Sequence, residues 1–185
     1  MSQKESNFGL SAEDKKYLLK QVKETIKARL GREALPDDVP ESAILQEKRG
    51  GFVTLKKRGE LRGCIGYIEA WKPLYQTVRE MALAAAFDDP RFPQLDIAEL
   101  PELEIEISVL TPLREIDDPE IIEVGRDGLL IRHGSSSGLL LPQVPVEQGW
   151  NREEFLAHTC MKAGLASDCW RRSGCRLFIF SADIF

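Results

Sequence analysis

The segment Leu61–Gly66 (LRGCIG) brings a thiol, a guanidinium and two glycines together at the end of an apolar strand pattern. In an extended strand the side chains alternate between faces, so Arg62 and Cys64 are expected to project from the same face. Gly63 and Gly66 leave the backbone bare, which allows another group to approach closely. We therefore interpret the segment as a functional site before interpreting it as core packing.

Two kinds of chemistry fit these residues. A neighbouring guanidinium lowers the pKa of a thiol, and the thiolate is the reactive form, so Cys64 is the candidate catalytic nucleophile. Arg62, with the backbone at Gly63 and Gly66, could instead bind an anionic ligand. A buried cysteine acting as a small apolar residue is the structural alternative. The sequence shows no obvious histidine base for Cys64, so it names no reaction and no cofactor, and it leaves open whether the protein is an enzyme.

A second candidate segment is the loop Asp89–Pro93 (DPRFP). Its two prolines stiffen the backbone and fix the directions of the Asp89 and Arg91 side chains at low entropic cost. We predict that both residues contribute to a ligand site. A structural loop anchored by Phe92 fits the sequence equally well.

Other polar residues indicate packing or surface positions. The G-x-S-x-G pattern at Gly134–Gly138 precedes a second apolar strand and not a helix, so it predicts a hairpin tip. His158 and Cys160 are two residues apart on a predicted helix and point about 200° away from each other, so they cannot bind one metal ion together. Cys160 is expected in the core. Glu104 and Glu106 share a strand face, either for acid–base work or as a solvated surface.

The composition is that of an ordinary globular protein, with 43% hydrophobic and 30% charged residues. A net charge of −5 disfavours nucleic acid as a partner. No run approaches the ~20 apolar residues of a membrane span, and the first residues contain no apolar segment. We therefore expect a cytoplasmic protein with four reduced cysteines. No Cys-x-x-Cys pair occurs and there are two histidines, so no metal site is predicted.

The first half of the chain alternates helical and strand patterns. Ser11 opens a helix with a capping-box arrangement, and Gly31 ends it. A second helix runs from Pro73 to about Phe87. The apolar face of the first helix is formed by Leu18, Val22, Ile26 and Leu30. Between the two helices, a hairpin is predicted from residues 51–57 and 61–68.

The second half is richer in strands. Apolar residues alternate with polar ones from Leu103 to Val109, which predicts a half-buried strand. Asn151 begins a helix that ends at Gly164. Further short strands are predicted at residues 121–122, 129–133, 139–141 and 176–181. The pattern predicts an α+β fold, with a mixed or antiparallel sheet flanked by helices.

Several segments together resemble one family. The hexapeptide at residues 61–66 resembles the signature of the AMMECR domain family, and the similarity extends over nearly the whole chain after Ser11. The prokaryotic branch, protein A of the AmmeMemoRadiSam system, is the part of the family that the chain resembles. The residues that carry the resemblance are 51–55, 61–66, 89, 91–93, 95, 99–103, 141–144, 147–150 and 154–165.

The resemblance implies an α+β domain over residues 11–185, after a tail at 1–10, with a large lobe, a small lobe and a cleft between them. It also implies Memo-type and radical-SAM proteins as partners, but no established reaction. Two functions fit. In the first, a small-molecule-binding or enzymatic component uses Cys64, Arg62, Gly63, Gly66, Asp89 and Arg91. In the second, the chain is a non-catalytic module that docks on other proteins.

Overall fold

The computed structural model describes residues 9–185, so most of the tail expected at residues 1–10 lies outside the described residues. The chain divides into two compact units. The first consists of the residues up to Leu110 together with Asp183–Phe185, and the second is Thr111–Ala182. The α+β class is confirmed, and the strands form two four-stranded antiparallel sheets, where the sequence suggested one.

The first unit places helices against one face of its sheet, whose strand order is β2-β1-β3-β8. Its elements are α1 (Ala12–Gly31), α2 (Ala43–Gln46), β1 (Gly51–Lys57), β2 (Glu60–Tyr67), α3 (Leu74–Leu83), a π-helical turn (Ala84–Asp88), a 3₁₀ helix (Ile97–Glu102), β3 (Leu103–Leu110) and most of β8 (Ala182–Ile184).

Helix α1 confirms the capping and periodicity predicted for it. The Ser11 hydroxyl accepts the Asp14 N–H at 3.1 Å, and the Asp14 carboxylate accepts the Ser11 N–H at 2.9 Å. The predicted apolar residues Leu18, Val22 and Ile26 are fully buried in the core, and Leu30 is partly buried against it. Gly31 is the last helical residue, because the left-handed conformation that ends the helix falls on Arg32 (φ 56°).

The β1–β2 hairpin carries a β-bulge. Its turn is Arg58–Gly59, where both residues have positive φ, as a type I′ turn requires. Leu55 pairs with Gly63, whereas the next residue of β1, Lys56, pairs with Leu61. Arg62 is therefore the extra residue of the bulge, and the alternation of side chains along β2 is broken at this position.

The predicted alternation of β3 is confirmed. Ile107 and Val109 are fully buried beneath the helices, and Leu103 and Ile105 pack against the same core. Ser108 faces the other way and is also buried, at 2% exposed. The second face of this sheet is therefore polar without being fully solvated.

The second unit is built around a sheet of strand order β4-β7-β5-β6. Its elements are β4 (Arg114–Ile116), a 3₁₀ turn (Pro119–Ile121), β5 (Gly128–His133), β6 (Ser136–Leu140), α4 (Gln143–Gln148), α5 (Arg152–Lys162), a second 3₁₀ turn (Cys169–Arg171) and β7 (Arg176–Phe180).

Most predictions for the second unit hold, with corrections. The hairpin at Gly134 is confirmed, although β6 begins at Ser136, three residues before the predicted start. The short strand predicted at Ile121–Ile122 is wrong, because Pro119 starts a 3₁₀ turn there. The Asn151 cap of α5 is confirmed, since its side chain accepts the Glu154 N–H at 3.0 Å. Sequence patterns also missed β4 and α4, which are too short to show a period.

The expectation of four reduced cysteines is wrong for two of them. Cys160 lies in the core of the second unit as predicted, but it forms a disulfide with Cys169, with the two Cα atoms 6.0 Å apart. Cys64 and Cys175 are free thiols. The sequence could not show this pairing, because a spacing of nine residues has no disulfide signature of its own.

Among residues 9–185, no helix is both long and apolar enough to cross a membrane.

We predict that Ile26→Ala lowers the free energy of unfolding by about 2–4 kcal/mol, because a fully buried side chain on the core face of α1 leaves a cavity. Urea denaturation followed by circular dichroism measures the change. Lys27→Ala, at the exposed neighbouring position, is the matched control and should stay within about 0.5 kcal/mol of the wild type. An unchanged midpoint for Ile26→Ala would contradict the packing described for α1.

Candidate functional site

The two glycines of the signature are required by packing. A Cβ atom at Gly63 would lie 2.0 Å from the carbonyl oxygen of Ala85, in the π-helical turn. At Gly66 it would lie 2.3 Å from the ring of Phe52. The close approach predicted for both positions is therefore made by other parts of the protein.

Arg62 pairs with Glu99. Its Nε and Nη2 atoms donate to the two carboxylate oxygens of Glu99 at 3.1 and 2.9 Å, and Lys57 binds the same carboxylate at 3.1 Å. The Arg62 guanidinium holds the pKa of Glu99 at about 2, well below its ordinary value. The third nitrogen, Nη1, is buried and has no hydrogen-bond partner among the described residues. Arg62 therefore fastens the bulge to the 3₁₀ helix at Ile97–Glu102.

Arg62 and Cys64 do not share a face as predicted. Arg62 binds the carboxylate that Lys57 also binds, whereas the Cys64 thiol contacts Thr54. Lys57 and Thr54 are three residues apart on β1, so their side chains leave opposite faces of the sheet. The β-bulge causes the difference, and Arg62 is not the cation beside the thiol.

Asp89 and Arg91 hold the backbone of Cys64. The Asp89 carboxylate accepts the Cys64 N–H at 2.9 Å, and the Arg91 guanidinium donates to the Cys64 carbonyl oxygen at 3.2 Å. The two side chains also pair with each other at 2.7 Å. Asp89 is 4% exposed, and its hydrogen bonds with Arg91 hold its pKa far below the ordinary value. Both polar backbone groups of Cys64 are therefore occupied by charged side chains.

Arg91 is thus the guanidinium beside Cys64. The hydrogen bonds to Asp89 raise its pKa. The loop Asp89–Pro93 brings together two of the residues that the sequence singled out, Asp89 and Arg91, with the thiol that it ranked first. Their observed contacts are with the backbone of Cys64 and with each other.

The Cys64 thiol begins a polar row across three strands. Its Sγ atom lies 3.2 Å from the Thr54 hydroxyl oxygen, and Thr54 is opposite Cys64 on one side and opposite Glu106 on the other. Lys56, two residues along β1, pairs with Glu106 at 3.0 Å. Cys64 is half-buried and Thr54 is 9% exposed. The row offers a thiol, a hydroxyl and a carboxylate on one face.

Sequence analysis missed Glu99 and Thr54. Glu99 completes a capping box with Asp96 at the 3₁₀ helix, so its sequence pattern is already explained by a local role. Thr54 is an ordinary β-branched strand residue, and only the register of β1 with β2 places it beside Cys64.

His158 has the packing role that was predicted for it. His158 stacks on Trp150, with ring centroids 3.8 Å apart and planes 4° from parallel. Within residues 9–185, no cluster of three or more histidine, cysteine or acidic side chains is placed to hold a metal ion.

Comparisons with known proteins agree with the resemblance found in the sequence. The AMMECR1 family model matches residues 19–185. Protein MK0488 of Methanopyrus kandleri is 46% identical over 185 residues, covering 95% of this chain and 89% of that protein. Protein TK0174 of Thermococcus kodakarensis is 50% identical over 160 residues, covering 81% and 77%, respectively. The crystal structure of the uncharacterized protein PH0010 from Pyrococcus horikoshii matches with a TM-score of 0.81 at 43% identity, covering 91% of this chain and 88% of that one.

The chain therefore belongs to the AMMECR1 family and shares its fold. The names of these relatives state no activity, ligand or partner.

We predict that Glu99→Gln destabilises the protein by about 3 kcal/mol at pH 7, because the folded protein lowers the pKa of Glu99 from 4.5 to about 2. A folded-state pKa below the unfolded one adds stability above the unfolded value, and this stability is lost as pH falls through the folded value. The difference from wild type should therefore shrink between pH 5 and pH 2, as measured by urea denaturation at each pH. Arg62→Met should reproduce the effect at pH 7, and a constant difference across this range would contradict the ion pair.

We predict that Cys64 reacts with a limiting amount of iodoacetamide faster than Cys175 does near neutral pH. Burial raises the pKa of the Cys175 thiol and so reduces its thiolate, whereas Cys64 has Arg91 beside it. Tryptic digestion separates the two cysteines, in peptides 63–79 and 173–176, because the Lys72–Pro73 bond resists trypsin, and mass spectrometry measures the labelling of each. Cys64→Ser should remove the fast phase. Faster labelling of Cys175 would contradict the prediction.

Proposed function

We propose that this AMMECR1-family protein is a ligand-binding or enzymatic component that contacts its ligand through the Cys64 thiol. The observation that supports the proposal is the fixation of Cys64 at both of its backbone polar groups, by Asp89 and by Arg91. A thiol whose backbone is fixed in this way stays in one place, which favours a positioned nucleophile or ligand contact.

The polar row beside Cys64 gives the proposed site its chemistry. The Thr54 hydroxyl is close enough to donate a hydrogen bond to a thiolate, which would favour the reactive form. Glu106 follows in the row, and Lys56 offsets its charge. The proposed ligand is a small molecule with a group that a thiol can contact or attack. Arg62, Gly63 and Gly66 then act as positioning residues that hold β2.

The biological setting is part of the proposal. From the family resemblance, we infer that the protein acts with Memo-type and radical-SAM proteins. The cytoplasmic location also stays a prediction. A protein with the Cys160–Cys169 disulfide would be unusual in a reducing cytosol, although intracellular disulfides do occur in some groups of organisms.

One observation favours the non-catalytic alternative. The charged residues of the predicted site, Arg62, Asp89 and Arg91, all have partners within the first unit. Trp71 is 65% exposed and stacks on Tyr67, which offers an aromatic surface on the same unit. In this alternative, the signature stabilises the fold, and the surface at Trp71 docks on a Memo-type or radical-SAM protein.

We predict that Cys64→Ala and Cys64→Ser fold normally but lose a bound small molecule. The test is expression in a Thermococcus kodakarensis strain that lacks its own AMMECR1-family gene, followed by native mass spectrometry of the purified proteins and mapping of the tryptic peptide 63–79. Wild type should carry a ligand or adduct mass. The fraction of protein that carries this mass should be at least about tenfold lower in the Cys64 variants, which corresponds to a loss of 1.4 kcal/mol in binding free energy. Glu60→Gln, an exposed position on the same strand, is the matched control and should retain the ligand.

The same samples separate the two functions. A ligand retained by Cys64→Ala, or absent from wild type, would contradict the proposed site. If Trp71→Ala then loses a co-purifying Memo-type or radical-SAM protein that Cys64→Ala retains, the docking alternative is the better description.

A further inference from the structure

Three cysteines of the second unit lie together, and they are remote in sequence from the signature. Cys160 is on α5, Cys169 is in the 3₁₀ turn that follows, and Cys175 immediately precedes β7. The Sγ atom of the free Cys175 lies 3.9 Å from Sγ of Cys169, which already forms the disulfide with Cys160. Cys169 is therefore in contact with two possible disulfide partners at once.

Successive turns create this arrangement. The Cys169 N–H donates to the Ala166 carbonyl at 2.9 Å, the Arg172 N–H donates to the Cys169 carbonyl at 3.0 Å, and the Cys175 N–H donates to the Arg172 carbonyl at 3.2 Å. These tight turns bend the chain within the seven residues from Cys169 to Cys175 and bring the two sulfurs together. Exchange between the two pairings therefore needs only a small movement of side chains.

The three sulfurs differ in access to solvent. Cys160 is fully buried and Cys169 is 4% exposed, so a thiol in solution has no direct approach to their disulfide. Cys175 is partly exposed and directly follows a run of exposed residues at 171–174. It is the only one of the three that a small molecule can reach without opening the unit.

We propose that Cys160, Cys169 and Cys175 form a thiol–disulfide exchange site. Cys175 exchanges with the buried Cys160–Cys169 disulfide and forms a Cys169–Cys175 disulfide, which a low-molecular-weight thiol can reach and reduce. This site is separate from the Cys64 site and goes beyond the function proposed above.

The first step is internal. The Cys175 thiolate attacks Sγ of Cys169, the Cys169–Cys175 bond forms and the Cys160–Cys169 bond breaks. The electron pair leaves on Cys160, which takes up a proton equivalent to the one Cys175 released, so no net oxidation occurs. Cys160 is then a neutral thiol among apolar side chains, an environment that suits a buried cysteine.

The second step uses the external thiol. Its thiolate attacks Sγ of Cys175, which breaks the Cys169–Cys175 bond, frees Cys169 as a thiol and leaves a mixed disulfide on Cys175. A second molecule of the thiol attacks the outer sulfur of this mixed disulfide and restores the Cys175 thiol. The two thiols leave as their own disulfide, and the protein has gained two electrons and two protons.

The experiment maps the disulfides of the full chain in the Cys64→Ser background, which removes the unrelated free thiol. Trypsin cleaves after Lys162 and after Arg171 and Arg172, so each of the three cysteines falls in its own peptide. After incubation for several hours at pH 8, which covers the range of uncatalysed disulfide rearrangement, the protein is quenched with acid, alkylated and digested without reduction. We expect both linked pairs, 160 with 169 and 169 with 175, and alkylation of both Cys175 and Cys160.

The rate of reduction tests the role of Cys175. With reduced glutathione in excess, we expect the disulfide of Cys175→Ser to be reduced at least about tenfold more slowly than that of the parent. Ser173→Ala, an exposed change in the same turn, is the matched control and should keep the parental rate. Equal rates with and without Cys175 would overturn the proposal. The proposal would also be overturned if only the 160–169 pair were found after incubation, or if no disulfide were found among the three cysteines. The disulfide mapping needs no substitution at any of the three cysteines.

Discussion

The edge of β2 is closed by side chains instead of by another strand, and the candidate site depends on this. An edge strand leaves N–H and C=O groups unpaired. At Cys64, the Asp89 carboxylate takes the N–H and the Arg91 guanidinium takes the carbonyl, so the loop after the π-helical turn replaces a neighbouring strand. Because the two side chains also pair with each other, the buried carboxylate of Asp89 keeps a compensating charge.

The closure of the β2 edge also explains why residue 63, next to the bulge, is a glycine. The loop can reach Cys64 only if the π-helical turn passes directly over β2, where the Ala85 carbonyl oxygen occupies the space that a side chain at residue 63 would need. Gly63 permits this contact, and Arg62, pushed out of the strand alternation by the bulge, is free to reach Glu99. Three adjacent residues of one strand therefore have three different tasks, namely the ion pair, the close approach and the thiol.

The sequence predicted the elements whose signals are local and periodic. The capping box and apolar repeat of α1, the alternation of β3 and the hairpin at Gly134 are of this kind, and the structure confirms them. It also singled out Cys64, Asp89 and Arg91, which the structure brings together, and Arg62, which pairs with Glu99 instead. It could not show that Arg62 leaves the face of Cys64, because a single extra residue in a strand changes every face assignment beyond it. The roles of Glu99 and Thr54, and the Cys160–Cys169 disulfide, depend on long-range register or on turn geometry that no short pattern encodes.

The division of tasks within the signature bears on where specificity can arise. The charges of Arg62, Asp89 and Arg91 already have partners within the protein, so a ligand that pairs with one of them competes with an internal contact. The polar row of Cys64, Thr54 and Glu106 lies apart from these ion pairs, and Glu106 has Lys56 as its own partner; of the three, only Cys64 belongs to the hexapeptide. The hexapeptide therefore specifies a scaffold that presents one thiol. In the proposed function, the choice of ligand rests on strand residues outside the hexapeptide, which take no part in the contacts of Asp89 and Arg91 with Cys64.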